Sequence, residues 1–298
     1  MHSFTLITDS TIDETADYFE KNSIKCVPLS FTIDERTIEE DCGQTVSFHQ
    51  FYDLLRQGKL SSTAQAKLDT FLRVFRETLD AGQDLLYIGF SSGLSGTFQA
   101  GCMARDELAP LYPDRKIFCV DSLSATGGEY LLVDKAREMR DSGCTAEVTA
   151  AAIEQMRLHV IHLVTVDDLA HLHRGGRLSK TSAVVGSLLG IKPLIWVNDE
   201  GKLEVCGKVR GRQKAIRYLA ERTLREMTDK NQVVRIGHGD CMDDAQTLAD
   251  LLGRSGVRSD IRYIGTVIGS HTGPGVLTTF FLAATPNQKY PRRQPFSK

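Results

Sequence analysis

The fold predicted for this chain follows from one stretch, Leu85-Leu86-Tyr87-Ile88-Gly89-Phe90-Ser91-Ser92-Gly93-Leu94-Ser95-Gly96-Thr97. Its apolar first half predicts a buried parallel strand, because strands covered on both faces are apolar nearly throughout. A helix-like run with small side chains begins at Thr97. A strand, a glycine-rich loop and a helix in succession indicate an α/β fold.

The hydroxyl-rich loop after this strand predicts an anion-binding site. We expect Ser95 to be the helix N-cap, beyond which backbone N–H groups have no partner within the helix. The helix dipole favours a carboxylate or phosphate there, and the two glycines let a ligand approach the backbone closely. The predicted ligand contacts are Ser92, Ser95, Gly96 and Thr97. An ordinary strand-to-helix turn with a serine cap is the alternative interpretation.

Two further predicted strands end in similar polar residues. The strand Phe4–Ile7 leads into Asp9-Ser10-Thr11, and the strand Ile117–Val120 leads into Asp121-Ser122. Ligands of open parallel sheets bind outside the carboxyl ends of the strands. The three polar strand ends therefore predict one site at a common sheet edge.

The length of 298 residues indicates two α/β domains. We predict an N-terminal domain at 1–152, with a mostly parallel sheet covered by helices on both faces. A C-terminal domain at 153–285 is predicted to hold a mixed sheet with helices, including a hairpin from Lys192 to Val209. In an alternative assignment, residues from about 62 to 84 pack on the second domain. Residues 286–298 are expected to form a loose tail.

Further predictions concern the ordinary elements between these landmarks. Residues 34–46 are expected to be irregular, and the polar segment at 60–65 is given no regular structure. A short helix is predicted at 183–189, and an extended segment at 261–268 followed by a glycine-rich loop.

Composition excludes several classes of protein. The net charge of −2 provides no overall basic field for nucleic acid, and no apolar run is long enough to span a membrane. The seven cysteines lie at least 16 positions apart, so no Cys-x-x-Cys pair exists. Their odd number and the absence of a signal-peptide pattern predict reduced thiols and a cytoplasmic location.

Two histidine- and glycine-based motifs have alternative interpretations. His171 and His173 could suggest a metal pair, but residues two apart on a helix point in different directions. We therefore predict surface histidines and no metal site. Gly175-Gly176-Arg177 fits a phosphate-binding nest and a helix C-cap equally well.

A serine hydrolase is possible on residue types alone. Ser95 and His271 could combine with Asp9 or Asp121, but the loop lacks the Gly-x-Ser-x-Gly elbow of many such enzymes. A serine beside a histidine can equally hold a carboxylate by hydrogen bonds. We also find no Asp-x-Asp group for the magnesium ions of a kinase.

Several motifs, in this order along the chain, together resemble the DegV family of bacterial fatty-acid-binding proteins. They are Thr8-Asp9-Ser10-Thr11, Val27-Pro28-Leu29, Ser91–Thr97, Val120-Asp121-Ser122, Gly175-Gly176-Arg177-Leu178-Ser179, Ile191-Lys192-Pro193 and His271-Thr272-Gly273-Pro274-Gly275. The resemblance implies one long-chain fatty acid, such as palmitate, in a tunnel at the junction of two α/β domains. It implies neither catalysis by the chain itself nor a cofactor.

The resemblance also implies which residues hold the fatty-acid carboxylate. By position these are Thr63, Ser95 and His271, with Thr272 beside the histidine. The family usually has Thr-Ser-Gln-Pro around the threonine, whereas this chain has Thr63-Ala64-Gln65-Ala66. Ser62 is therefore the alternative to Thr63.

The partner implied by the resemblance is a separate fatty-acid kinase that makes acyl phosphate for lipid synthesis. We predict that the basic residues Arg174, Arg177 and Arg210 dock this kinase, while two solvated loops are the alternative. Two other functions stay open. The chain could be an enzyme, related to dihydroxyacetone kinase subunits or a Ser/His hydrolase, or it could be a regulatory or scaffold protein.

Overall fold

The computed structural model describes residues 4–167, 169–178 and 190–283. Within them, no helix is long and apolar enough to cross a membrane. The predicted helix at 183–189 and the tail at 286–298 lie outside the described residues. The domain boundaries given above remain predictions.

The N-terminal domain is built on a four-stranded parallel sheet in the order β2-β1-β6-β7. Its strands are β1 (Thr5–Asp9), β2 (Ile24–Val27), β6 (Leu85–Gly89) and β7 (Ile117–Asp121). Four helices pack on it after the short helix α1 (Ala16–Lys21): α3 (Leu68–Asp80), α4 (Thr97–Leu108), α5 (Thr126–Asp141) and α6 (Ala146–Met156).

Alternation along the strands divides these helices between the two sheet faces. Leu86 and Ile88 pack in a core with residues of α5 and α6, whereas Leu85 and Tyr87 pack with residues of α3 and α4. The predicted parallel sheet with helices on both faces is therefore confirmed.

A second, smaller sheet joins the N-terminal domain and contains two strands that sequence patterns missed. It has the antiparallel order β4-β3-β5, with β3 (Ser30–Ile33), β4 (Arg36–Glu39) and β5 (Ser61–Ala64), and the helix α2 (Phe48–Arg56) lies between β4 and β5 in the chain. The prediction of irregular structure at 34–46 and 60–65 is wrong there. Both strands are mostly polar, so neither has the apolar alternation that marks a half-buried strand.

The C-terminal domain has a six-stranded mixed sheet in the order β10-β9-β8-β13-β11-β12. Only β11 and β12 pair in parallel. Its elements are β8 (Val160–Thr165), α7 (Ala170–Arg174), β9 (Ile191–Val197), β10 (Leu203–Arg210), α8 (Arg212–Glu226), β11 (Val234–His238), α9 (Met242–Gly253), β12 (Ser259–Tyr263), α10 (Thr266–Thr272) and β13 (Leu277–Leu282).

The two faces of this sheet have different neighbours. Ile161 and Leu163 of β8 pack in a core with residues of α8 and α9. Val164 points the other way, into a core that contains Phe90 and Ala125 of the N-terminal domain. The second face of the mixed sheet therefore forms the junction between the domains.

One prediction for this half is wrong. The extended segment expected at 261–268 ends at Tyr263, and the helix α10 begins at Thr266. The β-branched residues Thr266, Val267 and Ile268 favour a strand, but tertiary contacts of α10 prevail over this local preference. The change matters because α10 carries His271.

Candidate functional site

A cavity lies at the junction of the two domains. The centre of a water molecule can occupy about 280 Å³ of it. Its wall is mostly apolar and comes from both domains, with Phe90 and Leu94 on one side and Val164, Leu172, Ile195 and Val276 among the residues on the other. An apolar cavity with a few polar groups is the usual form of a small-molecule site.

Thr63 and His271 meet across the domain junction in the wall of this cavity. The hydroxyl oxygen of Thr63 lies 2.7 Å from Nε2 of His271. Alternation along β5 leaves the preceding Ser62 exposed. Thr63, rather than the alternative Ser62, is therefore the hydroxyl at the cavity.

Ser95 also lines the cavity, but it is not the N-cap of α4. The helix begins at Thr97 with Gly96 as its N-cap, and the Ser95 hydroxyl accepts a 3.2 Å hydrogen bond from the Thr97 N–H. The two hydroxyl oxygens lie 2.9 Å apart. The N-cap is therefore Gly96 and not the predicted Ser95. Ser95 still belongs to the preceding turn, in which the N–H groups of Leu94 and Ser95 both donate to the Ser91 carbonyl.

The other predicted residues of the loop differ in their positions. Gly96 lines the cavity, whereas Thr97, also predicted to contact the ligand, is fully buried and is not part of the cavity wall. Ser92 is exposed and outside the cavity wall, with its N–H donating to Asp121 at 3.2 Å. Thr272 lines the cavity, but its hydroxyl donates within α10 to the Ile268 carbonyl at 3.0 Å.

His271 is neutral at physiological pH in this environment. Burial, together with the charge of Arg177 and His171, lowers its pKa to about 4. Its Nδ1 is buried and has no hydrogen-bond partner. A Cβ on Gly175 would lie 2.1 Å from Nδ1, so only glycine permits the close approach of this chain segment to the ring.

Arg177 lies in the cavity wall and not on a free surface, which changes the role predicted for it. Its guanidinium donates to the carbonyls of Leu94 at 3.0 Å and Gly175 at 2.5 Å. Burial lowers its pKa. Arg174 and Arg210, the other predicted docking residues, are exposed.

The Gly175-Gly176-Arg177 turn is a helix C-cap, so the second of its two interpretations fits. The N–H of Gly176 bonds the carbonyl of His173 and the N–H of Arg177 bonds that of Leu172. These N–H groups end α7 and are not free to form a phosphate nest. His171 and His173 are half-buried, and not the surface side chains that we predicted.

One group of three potential metal ligands comes together in the described part of the chain: His49, Asp53 and Asp240. The guanidinium of Arg56 lies 2.9 Å from Asp53 and 2.5 Å from Asp240. The guanidinium of Arg56 thus already supplies the positive charge that these two half-buried carboxylates attract, and we assign the group as an ion-pair cluster.

Glu40, which sequence reasoning missed, hydrogen-bonds the first residue of α10. Its buried carboxylate accepts a hydrogen bond from the Thr266 hydroxyl, across the domain junction. Burial, with a contribution from Asp41, raises its pKa to about 7. No local pattern marks this residue, since it lies in a segment of several acidic residues.

We expect Glu40→Gln to change the pH dependence of stability. The folded pKa lies above the unfolded value, so the unfolded chain releases this proton first as pH rises. Wild-type protein therefore loses stability from Glu40 between about pH 4.5 and 7. Urea unfolding from pH 5 to 8 should show this loss in wild type and less of it in Glu40→Gln.

Glu39→Gln, at an exposed neighbour, is the control. If the free energies of unfolding of wild type and Glu40→Gln differ by the same amount at every pH, the assignment is contradicted.

Comparison with known proteins places this geometry in a family. The model of the DegV family, described as uncharacterised, matches residues 3–284. A DegV domain-containing protein of Clostridium perfringens is 38% identical over 288 residues, which cover 96% of this chain and 99% of that protein.

Solved structures give the same result. A DegV family protein from Thermus thermophilus, described by its fatty-acid binding, has a TM-score of 0.85 and 27% identity, covering 95% of this chain and all of that one. A fatty-acid-binding DegV family protein from Streptococcus agalactiae has a TM-score of 0.84 and 28% identity, covering 96% and 100%. The predicted two-domain α/β fold is confirmed.

Proposed function

The chain belongs to the DegV family, and we propose that it binds one long-chain fatty acid in the cavity between its domains. The carboxylate lies at the polar end formed by Thr63, Ser95 and His271, and the tail lies along the apolar wall. The observation that carries this proposal is the Thr63–His271 hydrogen bond in the wall of an otherwise mostly apolar cavity. Solved relatives that bind fatty acids support it.

The tautomer of His271 decides what Thr63 offers to a ligand. A proton on Nδ1 would be buried without an acceptor and would face the positive charge of Arg177. An unprotonated Nδ1, whose lone pair carries partial negative charge, is compatible with that positive charge. The proton is then on Nε2, which donates to the Thr63 oxygen. The hydroxyl proton of Thr63 is left free to donate to a carboxylate.

Arg177 is the candidate that balances the ligand's charge. A buried carboxylate is costly unless it is paired or hydrogen-bonded. The guanidinium of Arg177 is the permanent positive charge in the described cavity wall. It stabilises the anion through space while its own hydrogen bonds to Leu94 and Gly175 hold it in place.

The tail supplies most of the binding free energy. About fourteen methylenes at about 0.8 kcal/mol each contribute roughly 11 kcal/mol before the cost of association. The hydrogen bonds at the polar end determine which end of the ligand enters and keep the buried carboxylate partnered.

Calorimetric titration of delipidated protein with palmitate tests this function. We expect saturation at one fatty acid per chain, with weaker binding of decanoate because fewer methylenes are buried. Absence of binding to either acid, with the protein shown to be folded by circular dichroism, would contradict it.

We propose further that the chain is a carrier and not a hydrolase. The Ser95 hydroxyl is paired with Thr97, and Nε2 of His271 is paired with Thr63. Neither contact is the Ser–His pair that activates a nucleophile. Ester or ATP turnover that disappears in Ser95→Ala would favour the enzyme alternative.

We propose that the chain presents the bound acid to a cytoplasmic fatty-acid kinase. This kinase docks on the exposed Arg174 and Arg210 of the chain. We expect Arg174→Ala and Arg210→Ala to raise the carrier concentration needed for half-maximal phosphorylation and to leave fatty-acid binding unchanged. The effect should shrink at high salt, because exposed charges are screened within about 8–10 Å. A reconstituted assay with the kinase from the same bacterium measures this.

The matched control for this docking experiment is Arg254→Ala, which removes the same charge from an exposed position after α9. Kinetics that are equal in all three variants across a range of salt would show that Arg174 and Arg210 are solvated surface residues without a docking role.

A further inference from the structure

Two buried carboxyl groups meet at a single hydroxyl group. The hydroxyl oxygen of Thr11 lies 2.6 Å from Oδ1 of Asp9 and 2.7 Å from Oε2 of Glu129. Asp9, at the end of β1, and Glu129, on α5, are both fully buried. A threonine hydroxyl has one hydrogen, so it can donate to only one of the two oxygens. The second short contact therefore requires a proton on a carboxyl group.

We propose that Asp9 and Glu129 share one buried proton, which Glu129 holds, and that this pair positions the wall of the fatty-acid cavity. The acid of Glu129 donates to the Thr11 oxygen, and the Thr11 hydroxyl donates to the Asp9 carboxylate. Both short contacts then become hydrogen bonds. The positioning role rests on the proposed function, whereas the shared proton does not.

The contacts of Asp9 identify it as the charged member of the pair. Its oxygens accept the backbone N–H groups of Thr11 at 3.2 Å and of Phe90 at 2.9 Å. The hydroxyl of Tyr87 donates to it as well, at 2.9 Å. A backbone N–H can only donate, and several such donors favour the ionised form of a carboxyl group.

Glu129 has the surroundings of a neutral acid. It contacts the hydroxyl groups of Thr11 and, at 3.4 Å, of Thr8, and a hydroxyl oxygen can accept as well as donate. Burial, followed by the charge of Asp9, raises the pKa of Glu129 well above its usual value. A second negative charge beside Asp9 is thus unfavourable.

The other titratable groups near α5 do not supply a free positive charge for Glu129. The guanidinium of Arg235 pairs with the buried carboxylate of Glu14. Burial lowers the pKa of His162 to about 4, so this ring is neutral. The elements packed around α5 carry Asp9, Asp13 and Glu14 on and after β1, Cys26 on β2, Tyr87 on β6, His162 on β8 and Arg235 on β11.

The bridge through Thr11 joins two parts of the cavity wall. Phe90, whose N–H Asp9 accepts, lines the cavity and directly precedes the glycine-rich loop. Thr126, three residues before Glu129 on α5, lines the cavity as well. Asp9 and Glu129 themselves are not in the wall. They act on the site through the segments that they hold.

Infrared difference spectroscopy of delipidated protein tests the shared proton. At about pH 7.5, the spectrum of wild type minus that of Glu129→Gln should contain one carbonyl band of a protonated carboxylic acid. Glu138→Gln, the same change at an exposed position of α5, is the control and should give no such band in its difference spectrum. If the Glu129→Gln difference spectrum lacks the band, both carboxyl groups are charged and the proposal is wrong.

A pH profile of stability gives a second readout. Folded protein keeps the proton of Glu129, whereas unfolded protein releases it above its ordinary pKa of 4.5. The ratio of folded to unfolded wild type should therefore fall about tenfold per pH unit relative to Glu129→Gln, between about pH 5.5 and 7.5. Urea unfolding measures this ratio, and a relative ratio that does not change with pH would overturn the proposal.

Two variants test which residue holds the proton. Glu129→Gln should bind palmitate as wild type does, because its amide N–H still donates to the Thr11 oxygen. Asp9→Asn places a donor against the N–H groups that Asp9 accepts, so it should destabilise the fold more than Glu129→Gln does. The opposite order of stability would place the proton on Asp9 and contradict the assignment.

Thr11 variants test the positioning role. Thr11→Val removes the bridge and should weaken palmitate binding by about threefold to tenfold, whereas Thr11→Ser should retain wild-type affinity. Thr149→Val, at a buried threonine of α6 outside the cavity wall, is the matched control. Wild-type affinity in a folded Thr11→Val protein would exclude the positioning role. Failure of wild type itself to bind palmitate would instead contradict the proposed function.

Discussion

Replacing Ser95 or His271 by alanine is expected to weaken palmitate binding by roughly 10- to 150-fold in each variant. A hydrogen bond to a buried charged group contributes about 1.5–3 kcal/mol, which corresponds to this range of affinity. Ser95→Ala removes a donor directly, whereas His271→Ala removes the partner that orients the Thr63 hydroxyl. Calorimetric titration of delipidated protein measures both effects.

Ser92→Ala is the matched control, since it makes the same chemical change in the same loop at a position outside the cavity wall. It should bind palmitate as wild type does, and thermal unfolding of the ligand-free variants should stay close to that of wild type. If Ser95→Ala and His271→Ala both bind palmitate with wild-type affinity, the carboxylate lies elsewhere.

Val164→Phe is expected to weaken palmitate binding by about a hundredfold. Val164 is buried and lines the cavity from β8. If the added ring takes the place of about four methylenes, the loss is about 3 kcal/mol. Decanoate should lose much less affinity, because its shorter tail leaves room for the ring. Titration with both acids gives the ratio.

Val164→Ala, which enlarges the cavity, is the control for this experiment and should retain palmitate better than Val164→Phe. Thermal unfolding checks that the phenylalanine variant remains folded, since overpacking also destabilises a core. A folded Val164→Phe protein with wild-type affinity for palmitate would show that the tail does not pass this residue.

Much of the fold is predictable from local patterns, and its failures have physical causes. The strand β6 and the β9–β10 hairpin carry strong apolar signals and turn residues, so they were predicted close to their observed positions. The polar strand β5 forms because β3 offers it hydrogen bonds, which no pattern within β5 records. The helix α10 depends likewise on a distant residue, Glu40, at its start.

The site, like the fold, was predictable in part: its residues were predicted, but their arrangement was not. Thr63, Ser95 and His271 were carried over from the family resemblance, and all three line the cavity. Their mutual geometry was beyond sequence reasoning, as was the turn that brings Arg177 into the cavity wall.

Denaturing extraction of the purified protein, followed by quantitative mass spectrometry, tests the central proposal most directly. We predict close to one fatty acid per chain, of about 14 to 18 carbons, because a tail of this length buries enough methylene groups to stay bound during purification. The amount should fall in Ser95→Ala and in Val164→Phe and stay unchanged in Ser92→Ala. An extract without any stoichiometric acyl chain, from protein that also fails to take up added palmitate or oleate, would contradict the proposal.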